Sequence, residues 1–472
     1  MISTDAAANL GDVVLADNVE PNEGKFTVAI TKPAGFGALN VSSIVLNSSD
    51  VNWTGHSTLT SAGSLTLILG NVTGDIVAIE RSGGGKAEGT TLIFGNVEGT
   101  LTIPEVTGLL QIDGHLSIGH VETINSGAVL QIGNLSSSTL NVTGALAGLL
   151  RFIGPAVHSI INIADFEGSG MLEMIGSPTY PEINLYNGVD STDARVQINY
   201  HGGFIYMHDK DMLGVMNFPV FKEGAGVFDG GVLKGSVRCG LLATPGLNEN
   251  RGTIEFASVA AGGEIIADVQ TPFEGNIHIM GGMSGLIRVE NDLTEFSPNA
   301  RGEILIDGDS KGRVECNGDV TDSAEITIGG MLAGTGQINV EGVCDGDIWV
   351  GEKTTSNTEI LCQSGLGRLG SIIINASAGK FNADGSIYIG TSIFTPITGD
   401  YDGCILIRHE AGTGLGGDLN GLILIALCDD ETSSDPEFDH NVCADGDVNG
   451  SITVINSTCA NQPGYACQGE CP

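Results

Sequence analysis

A chain of 472 residues with 71 glycines, 19 basic side chains against 57 acidic ones and a net charge of −38 is long enough for several ordinary domains or one long solenoid. That charge excludes nucleic acid and anionic membrane as partners, because phosphate binding needs clustered Lys and Arg. It leaves open solubility in a salty medium or the binding of divalent cations or a cationic partner. No apolar run reaches the roughly 18 residues of a transmembrane helix, and the glycines follow no collagen-like period.

The opening hexapeptide, Met1-Ile-Ser-Thr-Asp-Ala6, has neither the basic nor the apolar region of a signal peptide. Residues 1–60 differ from the rest. Gly24–Thr31 and Val41–Asn47 alternate like strands, separated by turn residues around Lys32-Pro-Ala-Gly35. Val19-Glu-Pro-Asn22, Lys32-Pro-Ala-Gly-Phe36 and Val41-Ser-Ser-Ile-Val-Leu-Asn47 together resemble small β-sandwich modules of extracellular bacterial and archaeal proteins. The resemblance implies an exported protein. A capping segment, or a strand donated to a neighbouring subunit, is the alternative.

From residue 61 to 176 a winding pattern is expected. Thr66-Leu-Ile-Leu-Gly-Asn-Val-Thr-Gly74 returns as Thr91-Leu-Ile-Phe-Gly-Asn-Val-Glu-Gly99. Leu110-Gln-Ile-Asp-Gly114, Leu130-Gln-Ile-Gly-Asn134, Leu150-Arg-Phe-Ile-Gly154 and Leu172-Glu-Met-Ile-Gly176 follow, and beyond them Val196-Gln-Ile-Asn-Tyr200. Asn71 and Asn96 fall at equivalent corners, either to bond along the stacking direction or to accept a left-handed turn.

Residues 177–250 break the regularity and read as an insertion or a junction between two lobes. They contain the densest polar cluster, Tyr200-His-Gly-Gly-Phe-Ile-Tyr-Met-His-Asp-Lys-Asp211. His201, His208, Asp209 and Asp211, with Lys210, are candidates for an acid–base or metal constellation. A solvated loop and strand edge is the plainer account.

The second lobe, 251–425, carries the clearest repeat: a small residue, then alternating apolar positions. Its copies include Gly302-Glu-Ile-Leu-Ile306, Gly312-Arg-Val-Glu-Cys316, Ala324-Glu-Ile-Thr-Ile328, Gly336-Gln-Ile-Asn-Val340, Gly346-Asp-Ile-Trp-Val350, Thr358-Glu-Ile-Leu-Cys362 and Gly370-Ser-Ile-Ile-Ile374. Alternate copies are 22 to 24 residues apart, so two short strands make one turn. Period-two alternation marks half-buried strands, and no helical segment long enough for a crossover intervenes. The fold class is therefore all-β, a parallel β-helix (β-solenoid) in which each strand pairs with its counterpart one turn later. The leucine-rich-repeat pattern is absent. The chain resembles right-handed parallel β-helix proteins of the extracellular space.

The tail, 426–472, holds Cys428, Cys443, Cys459, Cys467 and Cys471, half of the ten cysteines. Such clustering reads as a disulfide-stapled piece from an oxidising compartment. Zinc is the lesser alternative, since no Cys-x2-Cys pair occurs. Eight sequons, at Asn40, Asn47, Asn52, Asn71, Asn134, Asn141, Asn375 and Asn456, are compatible with a secreted glycoprotein. Asp445-Gly-Asp447-Val-Asn449-Gly-Ser451, with Asn456 at the twelfth place, resembles the calcium loop of EF-hands and dockerin modules, which implies calcium as the one cofactor candidate. Asn456 departs from the acidic closing ligand, and Gly450–Val454 is itself a copy of the solenoid phrase, so a final strand with an acidic turn is the other reading. The Asp-Gly corners, such as Asp307-Gly-Asp309, Asn317-Gly-Asp319 and Asp345-Gly-Asp347, are either turn residues or a calcium-lined edge.

These features lead to the expectation of a non-enzymatic structural subunit of an extracellular filament, sheath or surface layer, with itself as partner. Solenoid ends expose strand edges that pair with another copy unless capped. Many parallel β-helices are polysaccharide lyases or hydrolases. On that alternative a carboxylate trio with an Arg or His would share one outer face. A third reading, an adhesin for cell-surface glycans, would expose an aromatic surface; two tryptophans speak against it.

Overall fold

The structure is a computed structural model. It describes residues 91–176, 179–240, 250–267, 272–295, 301–366, 370–376 and 385–389, together with short backbone strands between 9 and 81 and between 382 and 454. The chain divides into two compact units, Met1–Asn217 and Phe218–Pro472. Each is a parallel β-solenoid wound from two ladders of strands, and the described residues contain no helix.

In the first unit one ladder runs through Thr91–Phe94, Leu109–Ile112, Val129–Ile132, Leu149–Phe152, Met171–Met174 and Arg195–Ile198, every pair parallel and in register. The alternation puts Leu92, Leu110, Leu130, Leu150, Leu172, Val196 and Met216 in one inward column, all buried. Burial of each such side chain contributes about 1.5–3 kcal/mol, and the column stacks them without a polar atom between. The second ladder carries Val97–Val106, residues 116–124 of the long strand Leu109–Ile124, Thr139–Leu146, Ala156–Phe166, Thr179–Leu185 and Phe204–Met212. Toward the N-terminus, Val13–Leu15 pairs in parallel with Ile44–Asn47, and that strand with Leu65–Ile68. The expected strand at 24–31 lies outside the described residues.

The second unit repeats the scheme. Ile254, Ile277, Ile304, Ile326, Ile348 and Ile372 form one inward column. Val237, Ile265, Ile287, Val314, Ile338 and Ile360 form another. The corners stack as well: Phe273, Leu293, Val320, Cys344 and Leu366 bridge turn to turn, as do Val259, Met283, Ser310, Leu332 and Thr354. Turn length varies without loss of register, because extra residues enter between strands.

The stretch 177–250 looks irregular in sequence, yet it holds Thr179–Leu185, Arg195–Ile198, Phe204–Met212, Gly226–Leu233 and Ser236–Cys239 as ladder strands. Its inward positions mix Met207, Met212, Met216 and Phe221 with Ile183, Val196, Ile205 and Val237, so no one residue type recurs from turn to turn. Val196-Gln-Ile-Asn-Tyr200, a copy of the repeated phrase inside this stretch, lies on the ladder strand Arg195–Ile198. The boundary between the two units falls inside this stretch.

Candidate functional site

The polar cluster at 200–211 does not converge. His201 is 0% exposed, whereas His208, Asp209 and Lys210 are exposed and Asp211 is half-buried. His201 lies buried ahead of the strand Phe204–Met212 and His208 lies exposed within it, so the two serve different environments. His208 and Asp209 take left-handed backbone angles, φ 51° and 59°, which cost non-glycine residues roughly 1–2 kcal/mol each.

His208 instead joins a ladder on the outer face of the first unit. Asn141 Nδ2 lies 3.1 Å from His120 Nδ1. Asn162 donates to Asn141 at 2.7 Å and Asn184 donates to Asn162 at 3.0 Å. His208 Nε2 lies 3.2 Å from Asn184 Oδ1. The register makes His120, Asn141, Asn162, Asn184 and Tyr206 one outward column. The His208 ring stacks on Tyr186, with centroids 4.8 Å apart and planes 7° from parallel. Phe204, at 42% exposure, sits 6.1 Å from Tyr206. The sequence signal was present in Phe204-x-Tyr206-x-His208, three rings at period two, and goes unnoticed when only tryptophans are counted.

Corner residues are used in the same way. Asn96 Oδ1 accepts the backbone N–H of His115 at 2.8 Å, so the Asn96 corner bonds along the stack; Asn71 lies outside the described residues. Asp309 accepts from Met331 N at 2.9 Å, Asp319 from Val343 N at 2.7 Å, and Asp292 from Asp319 N at 2.9 Å. These corner aspartates thus hold the next turn through charge-assisted hydrogen bonds. Among the described residues no group of three or more His, Cys, Asp or Glu is placed to hold a metal ion.

Acidic groups do gather at two places. In the second unit Glu303, Glu325 and Asp347 follow one another in a single outward column, and His278 lies on the same ladder, bonded to Asp307 at 2.9 Å. Asp347 accepts from Ser371 at 2.6 Å and Glu325 from Thr327. In the first unit, burial and the neighbouring Asp165 carboxylate push the Asp190 carboxyl above its usual range. On the other ladder of the second unit, Glu315 is nearly buried between Arg288, at 2.7 Å, and Arg313.

Of the expected calcium ligands, Ser451 is exposed in the strand Ser451–Val454, which pairs with Leu422–Ile425; Asp445, Asp447, Asn449 and Asn456 lie outside the described residues. So do Cys428, Cys459, Cys467 and Cys471, and of Cys443 only the strand backbone, Asn441–Ala444, is described. Cys239, Cys316, Cys344 and Cys362 are buried, and none of the four is in a disulfide. Among the sequons, Asn141 is tied into the ladder and Asn134 accepts from Ser136 N at 2.8 Å. Asn40, Asn47 and Asn375 lie on strands whose side chains are not described, and Asn52, Asn71 and Asn456 fall outside. No protein-family model, curated protein or solved structure matches this chain.

Proposed function

We propose that the chain is a structural subunit of an extracellular filament, sheath or surface layer, built by end-to-end or strand-exchange contacts between solenoids. One observation carries this reading. The outward polar side chains of both units bond the turn above or below, as Asn162 does to Asn141 and Asp319 to Val343, and so stiffen the stack. A solenoid ladder gives every strand two partners except at its ends, and an end strand is a template for another copy. Negative-stain electron microscopy of the purified protein, with and without a calcium chelator, tests it. Filaments with a regular axial repeat are expected, and their loss in chelator assigns the Asp445 loop a calcium-dependent role. Discrete single particles at all concentrations overturn the proposal.

A second reading is supported by the column Glu303, Glu325 and Asp347 beside His278: a polysaccharide lyase or hydrolase, whose chemistry needs paired carboxylates at set separation. Release of reducing ends or unsaturated products from acidic polysaccharides, abolished in Glu325→Gln, would establish that activity instead.

A further inference from the structure

The outer face of the Met1–Asn217 unit carries two adjoining columns and a stacked ring pair with a chemistry of their own. Ile118, Thr139, Ile160, Glu182 and Phe204 share one register line, and His120, Asn141, Asn162, Asn184 and Tyr206 share the next. Tyr186 and His208 stack beside them. Ile118, Ile160, Tyr180, Tyr186 and Phe204 are exposed, Tyr186 to 47%. Exposed large apolar side chains gathered on one face mark binding surfaces. Here they alternate with amides held rigid by one another.

We propose that this face binds a neutral polysaccharide, the aromatic rings taking the apolar C–H faces of sugar rings and the amide column their hydroxyls. Asn141 and Asn162 each spend one N–H and one acceptor position in the ladder and keep another of each. A hydroxyl is likewise donor and acceptor, so the two chemistries match. Charge selects among ligands. The two columns and the ring pair contain no Lys or Arg, and a chain of net charge −38 repels an acidic polymer. Glu182, the one carboxylate in the columns, accepts from Asn184 at 3.1 Å, which leaves no array of anions for a cationic partner. Asp209 and Lys210 sit at the margin, next to His208, with opposite charges. The left-handed backbone at His208 and Asp209 holds the His208 ring against Tyr186, and such strain persists where the surroundings over-determine it, commonly at ligand clamps. Tyr and Phe supply large contact area at small entropic cost.

Affinity electrophoresis and titration calorimetry of the full chain test this, with hydroxyethylcellulose, galactomannan and xylan as neutral probes and polygalacturonate as the acidic one. At least one neutral probe is expected to bind, with an affinity unchanged between low and high salt. Tyr186→Ala and Phe204→Ala, in different strands, are each expected to weaken binding about tenfold or more, as truncation of aromatic anchors does, while Trp349→Ala in the other unit leaves it unchanged. Far-UV circular dichroism identifies variants that keep the fold. The proposal is overturned if no neutral probe binds, if only polygalacturonate binds, or if folded Tyr186→Ala and Phe204→Ala bind as the parent does. A change in sedimentation of these variants without glycan binding also overturns it, and assigns the face to contact between copies. Binding is read on dispersed protein, so its outcome is independent of whether filaments form.

Discussion

Asn162 donates from Nδ2 to Oδ1 of Asn141, one turn earlier, at 2.7 Å, and accepts in turn from Asn184. The middle member of such a ladder has a partner on each side, so its loss strands two. Asn162→Ala is expected to cost about 1–3 kcal/mol, the range for leaving half-buried donors and acceptors unmade. Asn162→Asp keeps an acceptor for Asn184 but loses the donor to Asn141, and should cost less at low pH, where the carboxyl is protonated and donates again. Urea unfolding at two pH values separates the two variants. Equal stability of parent and Asn162→Ala would show that the ladder adds nothing.

Glycine matters where one backbone crosses close to the next. A Cβ built on Gly154 would stand 1.8 Å from the carbonyl oxygen of Gly133, in the preceding turn, and a backbone oxygen gives way only if the whole turn moves. Gly127 has φ +79° but nothing near a Cβ. Gly127→Ala should therefore cost about 1–2 kcal/mol of left-handed strain alone. Gly154→Ala should cost more, by disrupting both turns. Thermal unfolding of the two variants gives the order, and the reverse order would contradict the packing described.

The strand pairing of the second unit was legible almost residue by residue. Alternate copies of the repeated phrase predict that Ile304 stacks on Ile326 and Ile348, and Val314 on Ile338 and Ile360, and those are the registers found. The period shows because the inward residues there are the same β-branched types. Between 177 and 240 the same geometry is filled by Met and Phe mixed with Ile, Leu and Val, and corner lengths vary, so alternation survives while the period is harder to read. The outer-face ladder was half visible. Asn141, Asn162 and Asn184 are spaced 21 and 22 apart, a period only recognisable once the turn length is known. The Asp165–Asp190 approach joins the strand Ala156–Phe166 to a segment of the next turn and leaves no local signal at all.

Asp190 gives a pH dependence whose sign follows from its surroundings. Burial first, then the Asp165 carboxylate, raise its folded pKa above the ordinary 3.8. A carboxyl raised in the folded state binds its proton more tightly there than when unfolded, so its favourable contribution is present below the unfolded value and is lost as pH rises through the folded one. At neutral pH the two carboxylates oppose folding. Asp190→Asn should accordingly stabilise the protein at pH 7, by no more than about 1 kcal/mol because the site is largely solvated and screened. The gain should vanish near pH 3. Denaturant midpoints of parent and variant across that range decide it, and a gain that is constant with pH would point to a cause other than charge.

Cys316 provides the alkaline counterpart. Burial pushes its thiol up from 9.0 to about 12, and Cys344, which contacts Cys362, is raised as well. A thiolate is the reactive form, so these buried thiols should resist a disulfide reagent at pH 8 in the folded protein and react at once in denaturant. The same shift sets a stability slope. Between pH 9 and 12 the unfolded chain gives up the Cys316 proton while the folded chain keeps it, so stability falls with rising pH over that window by up to about 1.4 kcal/mol per unit from this thiol. Cys316→Ala removes its share of the slope while adding a cavity cost that does not depend on pH. The variant should thus be less stable than the parent at pH 7 and closer to it at pH 11. Parallel curves of unfolding free energy against pH would show that Cys316 ionises as readily in the fold as out of it, and that the column formed with Val289 and Val340 admits water.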